Sequence, residues 1–176
     1  MVKKIAIVLV VLIAGLLAFA ATRPDTFHVE RSTLVKAPPE KIFAILEDFH
    51  NWGEWSPWDK LDPTMTKSYS GAERGQGAVY SWSGNDDVGK GTMEIIESKP
   101  NSKLVEKLHF IEPWESVNTV TFTLTPKGQE TEVTWAMDGD SPYMMKLMGI
   151  FTDMDEMVGK DFVEGLANLK ALAEKG

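Results

Sequence analysis

Residues 141–175 read SPYMMKLMGIFTDMDEMVGKDFVEGLANLKALAEK, and the spacing of their apolar side chains decides the fold. From Met144 the apolar positions run through Leu147, Phe151, Met154, Val158, Phe162, Gly165, Leu169 and Leu172, always three or four residues apart. That interval returns to one face of an α-helix. Asp153, Glu156, Lys160 and Glu164 recur at the same interval on the other side, which marks a wet face. Ser141 is placed as the N-cap and Pro142 as the first helical residue, where the missing N–H leaves no bond unmade. Gly149, Gly159 and Gly165 each weaken a helix interior by up to ~1 kcal/mol. A break is therefore expected between Gly149 and Asp153, with Thr152 or Asp153 opening a second helix and Asp155 or Glu156 closing its cap.

Upstream of this helix the period changes to two. Short runs over 67–70, 78–82, 90–98, 104–111, 116–125 and 130–137 alternate apolar with polar residues and are separated by turn-forming clusters such as Pro126-Lys127-Gly128-Gln129. Connections this short imply an antiparallel meander. One face is predicted to carry Tyr80, Trp82, Met93, Ile95, Leu108, Phe110, Val120, Phe122, Leu124, Val133, Trp135 and Met137. The other carries Thr92, Glu94, Lys107, His109 and a row of threonines, and belongs in solvent. Residues 27–35 read as a further strand, and Pro38-Pro39 as the entry to a short amphipathic helix through about Glu47. Trp52, Trp55 and Trp58 follow at intervals of three, as a buried plug or as the rim of a cavity. A sheet with one apolar face must be covered, and the terminal helix is the element long enough to do so.

Ile5 to Ala21 is an unbroken apolar run behind Lys3 and Lys4. At ~1.5 Å per residue it extends about 25 Å, the short end of a membrane span. It is read as an uncleaved anchor, with a secretory signal cleaved near Ala20 as the alternative. The two lysines place the N-terminus inside, and hence the following domain on the extracytoplasmic (periplasmic) side. The chain divides into a 1–21 membrane segment, a 22–26 linker and a 27–174 folded domain.

A formal net charge of −8 and the absence of a basic stripe argue against nucleic-acid binding. The sequence has no cysteine, which removes disulfides, thiolate zinc sites, thiol nucleophiles and a lipoprotein anchor.

Strand, short helices, meander and long terminal helix, in that order, resemble the START-like or Bet v 1-like helix-grip superfamily, also called SRPBCC. The likeness is carried by Val35-Lys36-Ala37-Pro38-Pro39-Glu40-Lys41-Ile42-Phe43, by Trp52 to Trp58, by Gly77-Ala78-Val79-Tyr80-Ser81-Trp82 with Gly89-Lys90-Gly91, and by the terminal helix. It looks most like the bacterial polyketide cyclase/dehydrase branch, some of whose members carry an N-terminal membrane segment. The resemblance implies an α+β fold, a curved antiparallel sheet of about seven strands gripping a long C-terminal helix. It transfers no catalytic residue by position, because the superfamily holds carriers, receptors, cyclases, hydrolases and co-chaperones on one scaffold.

The residues themselves name no catalytic group. His28, His50 and His109 fall on separate elements; Asp153, Asp155, Glu156 and Asp161 surround a helix without a histidine at ligand spacing, so no metal and no cofactor is expected. Gly75-Gln76-Gly77 and Gly89-Lys90-Gly91 lack the spacing of a phosphate loop and read as hairpin turns. What remains is an excess of soft, bulky side chains between sheet and helix, suited to an apolar small molecule or lipid. The candidate lining is Trp55, Trp58, Tyr80, Trp82, Met93, Glu106, Leu108, Phe110, Phe122, Trp135, Met137, Met144, Met148 and Phe151. Tyr80, Glu106, Asn118 and Tyr143 are the polar groups placed to orient a ligand. The helix glycines either leave room for one or allow close packing. A binding module is thus the first reading, a cyclase or hydrolase using Glu106 the second, and a protein-interaction module with an exposed tryptophan patch the third.

Overall fold

The computed structural model describes residues 2–175, so Met1 of the expected 1–21 segment lies outside the described residues. Helix α1 (Val2–Ala21) is followed by strand β1 (Thr26–Val35), helix α2 (Pro39–Leu46), a 3-10 turn at Phe49–Asn51, the single helical turn α3 (Trp52–Trp55) and a 3-10 turn at Trp58–Lys60. Six strands follow: β2 (Thr66–Gly71), β3 (Ala78–Ser83), β4 (Lys90–Lys99), β5 (Lys103–Glu112), β6 (Ser116–Lys127) and β7 (Glu130–Asp140). Helices α4 (Tyr143–Met148) and α5 (Met154–Ala173) complete the chain. The sheet order is β1-β7-β6-β5-β4-β3-β2, antiparallel throughout, so β1 closes the meander at the edge next to β7. This is the α+β helix-grip arrangement: one curved seven-stranded sheet laid on a C-terminal helix.

The period-two reading holds at the level of faces. Ten of the twelve side chains assigned to the inner face are buried, and Trp82 and Phe110 are half-buried against the same core. The hairpin at 127–130 turns through Gly128, whose φ of 69° suits a residue without a Cβ. Strand β2, by contrast, is exposed along its whole length and forms the far edge.

The terminal helix breaks where its glycine and cap signals meet. Asp153 caps α5, its carboxylate accepting from the Asp155 N–H at 2.9 Å. The upstream boundary differs by one residue from the sequence reading. Pro142, not Ser141, occupies the N-cap of α4, and it offers no side-chain cap. Strand pairing continues to Asp140 opposite Thr26, and the Ser141 N–H goes to the Asp25 carbonyl at 2.7 Å, so Ser141 still belongs to the extended chain.

The glycines of α5 serve close approach, not empty space. A Cβ at Gly165 would stand 2.7 Å from the Trp135 ring, and one at Gly159 would collide with the Arg31 guanidinium. Trp135 stacks on Phe162 at 4.1 Å between centroids, and Arg31 donates to the Asp155 carboxylate at 2.8 and 2.9 Å. These contacts pin the first half of α5 to β7 and to the middle of β1. At its other end the Lys36 N–H donates to Glu174 at 2.7 Å.

Candidate functional site: a cavity at one end of the grip

Between sheet and helix lies a cavity of about 310 Å³. Its floor and walls follow from strand parity. Strands β3 to β7 contribute Tyr80, Trp82, Met93, Leu108, Phe110, Val120, Trp135 and Met137, all inward by alternation. Helix α5 gives Met154, Val158 and Phe162, and the tryptophan segment gives Trp52 and Trp58. Phe27, Met65, Val88 and Met145 close the sides near one end of the sheet. Aromatic rings support one another across this wall: Trp58 lies edge-on to Trp135 at 5.8 Å, and Trp82 edge-on to Phe110 at 5.9 Å.

Two loops supply Met65 and Val88, and a single buried carboxylate joins them. Asp62 accepts from the Thr64 N–H and hydroxyl at 3.0 and 2.7 Å and from the Asn85 N–H at 2.8 Å, bonds that hold its pKa below the usual carboxylate range. The Trp82 indole N–H donates to the Val88 carbonyl at 2.9 Å, which fixes both the ring and the loop.

Polar groups in the lining are few: Asp59, Asp87, Asp161, Ser116 and Asn118, besides the Tyr80 hydroxyl. Asp59 is ion-paired with Lys67. Burial pushes the Asp161 carboxyl up, with the neighbouring Glu164 charge adding to it. Burial also raises the Tyr80 phenol, with Asp59 contributing, so Tyr80 stays a neutral hydroxyl. No lysine, arginine or histidine lines the cavity among the described residues.

Of the fourteen candidate lining residues, Trp58, Tyr80, Trp82, Met93, Leu108, Phe110, Trp135 and Met137 meet around this space. Six do not. Trp55 and Phe122 are 1% exposed and sit in the solid core, 5.9 Å apart edge-on. Parity gives the face of a strand but not which end of it lies over a hollow. Glu106 points inward from β5 opposite Val120 of the cavity lining, but is itself enclosed behind that lining and 1% exposed. Met144, Met148 and Phe151 are 65%, 60% and 74% exposed, because the helix is interrupted between Met148 and Met154 and its first piece does not continue the buried stripe of α5. Tyr143 donates to the Leu17 carbonyl at 2.9 Å, away from the lining. Among lining residues outside the candidate set, Phe27 was readable from its parity with Val29, and Met154, Val158 and Phe162 from the apolar stripe of α5. Met65 and Val88, on loops, had no periodic signal.

Glu106 is fully buried, and its Oε2 has no hydrogen-bond partner. Loss of solvation pushes its carboxyl up to about 8, so at neutral pH it is mostly protonated. Trp52, Trp55 and Trp58 form no exposed patch: the first two are buried and Trp58 is half-buried in the cavity wall. That removes the sign on which the interaction-module reading depended.

Comparison with known proteins places this architecture. The family model described as "Polyketide cyclase / dehydrase and lipid transport" matches residues 26–174. The chain belongs to that family. Solved structures share the SRPBCC or Bet v 1-like fold of this cyclase/dehydrase-type domain. Protein CV1439 from Chromobacterium violaceum is similar at TM-score 0.61 and 17% identity, over 88% of this chain and 100% of its own. The Aha1 dimer from Colwellia psychrerythraea gives TM-score 0.61 and 19% identity, over 85% and 98%. The di-domain ARO/CYC StfQ from the steffimycin biosynthetic pathway gives TM-score 0.63 and 12% identity; 85% of this chain matches 51% of that one, so the cyclase/dehydrase-type domain here corresponds to about half of it. No curated protein matches the sequence. A domain of this family with such a cavity is consistent with hydrophobic ligand binding.

Proposed function

We propose that this domain holds an apolar small molecule or lipid in the cavity between sheet and α5, and that α1 anchors it to a membrane with the domain on the extracytoplasmic side. The cavity carries the reading: a hollow of about 310 Å³ whose walls are almost wholly aromatic rings, methionines and aliphatic side chains. Methionines at three sides adapt to irregular shapes, which suits a flexible hydrocarbon or isoprenoid better than a rigid polar substrate. Three aspartates and no basic side chain in the lining favour a neutral molecule over an anion such as a fatty-acid carboxylate. The anchor reading rests on α1, the one helix among the described residues long and apolar enough to cross a membrane, and on Lys3 and Lys4 in its first turn.

Native mass spectrometry of the full chain purified from its host's membranes, followed by extraction, tests the proposal. A reproducible neutral lipid or isoprenoid at one per chain is expected. An empty protein that also fails to take up a panel of apolar fluorescent probes overturns the binding reading.

One observation favours a second reading. Glu106 is a buried, mostly protonated carboxyl next to the cavity floor, the type of group a cyclase or hydrolase would use as a proton donor. If the extracted ligand is a substrate, its turnover should fall by at least ~100-fold in Glu106→Gln, with binding retained. Equal turnover in the variant removes Glu106 from the chemistry.

A further inference from the structure

The two ends of the sheet differ in what they expose. One end gathers the start of β1, the end of β7, the start of β6 and the end of β5, as the pairs Thr26 with Asp140, Asn118 with Gly139 and Phe110 with Ser116 require. Helix α1 arrives at this end, four residues before β1, and α4 leaves from it. Here Trp114, Met144, Met148 and Phe151 are 80%, 65%, 60% and 74% exposed. At the opposite end the turns are Pro100-Asn101-Ser102 and Gly128-Gln129, with no bulky apolar side chain. Single exposed apolar residues need no explanation, but four at one end beside an apolar helix do.

Helix α4 also touches α1. The Tyr143 hydroxyl donates to the Leu17 carbonyl at 2.9 Å, and Ala20 is completely buried at the junction. Met144 and Met148 are four apart and share the free side of α4, and Phe151 is exposed in the turn that follows it. A medium that receives α1 as far as Leu17 therefore meets that free side as well. The cavity reaches the same neighbourhood: Met145, between Met144 and Met148, and Met154, three residues after Phe151, both line it.

We propose that this end of the domain docks onto the bilayer that α1 enters, with Trp114, Met144, Met148 and Phe151 in the interfacial layer and the cavity mouth facing lipid. This rests on the membrane-anchor and apolar-ligand readings above. A ligand then passes between bilayer and cavity along an apolar rim without crossing open water. Docking is through apolar side chains and not through charge, because the nearby ionic groups are mainly acidic, and Lys146 on α4 is paired with Asp25.

The absence of cysteine allows a direct test on the full chain. Single variants Leu12→Cys, Trp114→Cys, Met148→Cys and Gln129→Cys, each at an exposed side chain, are labelled with a nitrobenzoxadiazole fluorophore and reconstituted in phosphatidylcholine vesicles containing nitroxide lipids. Nitroxides near the headgroup should quench positions 114 and 148 at least about twofold more than position 129, as expected for side chains in the interface, while acyl-chain nitroxides quench position 12. Quenching at 12 with 114 and 148 no different from 129 overturns the docking and leaves the anchor standing. No quenching at any position, position 12 included, overturns the anchor reading and the docking with it.

Discussion

The two halves of the grip use the same sheet and the same alternation, yet one is solid and the other hollow. In the half away from α1, Val35, Ile42, Leu46, Leu104, Leu124, Val133, Leu169 and Ala173 are all 4% exposed or less. In the half beside α1, Phe27, Trp82, Phe110, Met154 and Val158 are only partly buried around the cavity. The difference lies in the cover. Arg31 ties the first turn of α5 to the middle of β1, so the first residues of β1 and the strand ends beside them extend past the helix. Only α4, the linking turn and two loops close that side, and short irregular segments fill space less completely than a helix with a continuous apolar face. An interrupted helix thus makes a cavity without any unusual residue in the sheet.

The sharpest way to break this contrast is one substitution made on both sides of it. Phe122 on β6 is 1% exposed, whereas Phe110 on β5 is half-buried in the cavity wall. Phe122→Ala should cost ~3–5 kcal/mol, the usual loss for truncating an enclosed ring. Phe110→Ala should cost only about 1–2 kcal/mol, because one side of that ring already lacks packing partners. Apolar-probe affinity should move the other way, weakening for Phe110→Ala and holding for Phe122→Ala. Urea unfolding and probe titration on the same preparations measure both. Equal losses of stability would mean that the hollow half is packed in solution.

Glu106 sits at the border between the halves, and its effect is set by pH. Its folded-state pKa near 8 lies above the ordinary 4.5, so between these values the folded protein holds a proton that the unfolded chain has released. Unfolding then loses a proton, and stability falls as pH rises through this window, at about 1.4 kcal/mol per unit at the steepest. The contribution is harmless below the ordinary value and levels off above the folded one. Glu106→Gln should flatten this dependence and leave the protein more stable than wild type at pH 9. Unfolding midpoints at pH 5, 7 and 9 test it. A wild type as stable at pH 9 as at pH 5, once matched to the variant, would mean that water reaches the carboxylate.

The solid half was more legible in the sequence than the hollow one. Period-two spacing identified the inner-face residues from Tyr80 to Met137, and the three-and-four spacing from Met154 to Leu172 identified the buried side of α5. Both signals survive because a packed interface requires them. Neither records depth along an element, so the alternation groups Phe122 and Glu106 with Phe110 and Trp82, although the first two lie in the core and the others around a space. Continuing the stripe across Gly149 carries Met144 and Phe151 inward, and Met148 is counted with them as a soft lining residue, whereas all three are exposed. Met65 and Val88 reach the cavity from loops fixed by Asp62, whose bonds to Thr64 and Asn85 bridge distant stretches of chain.

The glycines of α5 separate packing from cavity more finely. Gly165→Ala should destabilise by ~1–3 kcal/mol, since its Cβ would press on the Trp135 ring, held against Phe162 in a stack that has little room to yield. Trp135 also lines the cavity, so a displaced ring should alter probe affinity too. Unchanged affinity with lost stability would locate the strain on the helix side alone.

The smallest effect is expected at Gly159, where the opposing atom is the end of a long side chain. A Cβ there collides with the Arg31 guanidinium, which can move only by giving up its paired bonds to the Asp155 carboxylate. That pair is partly exposed, at 29% and 51% of the two side chains, so its loss has the small effect usual for a solvent-screened pair. Replacing a helix-interior glycine by alanine returns ~1 kcal/mol. The two nearly cancel, and Gly159→Ala should unfold within about 1 kcal/mol of wild type. The informative comparison is therefore salt dependence. The ion pair is screened in the wild type but absent in the variant, so raising ionic strength should narrow any advantage of the wild type. A wild-type advantage that persists at high salt would mean that Arg31 holds α5 through packing of its planar group on the glycine, with the carboxylate secondary.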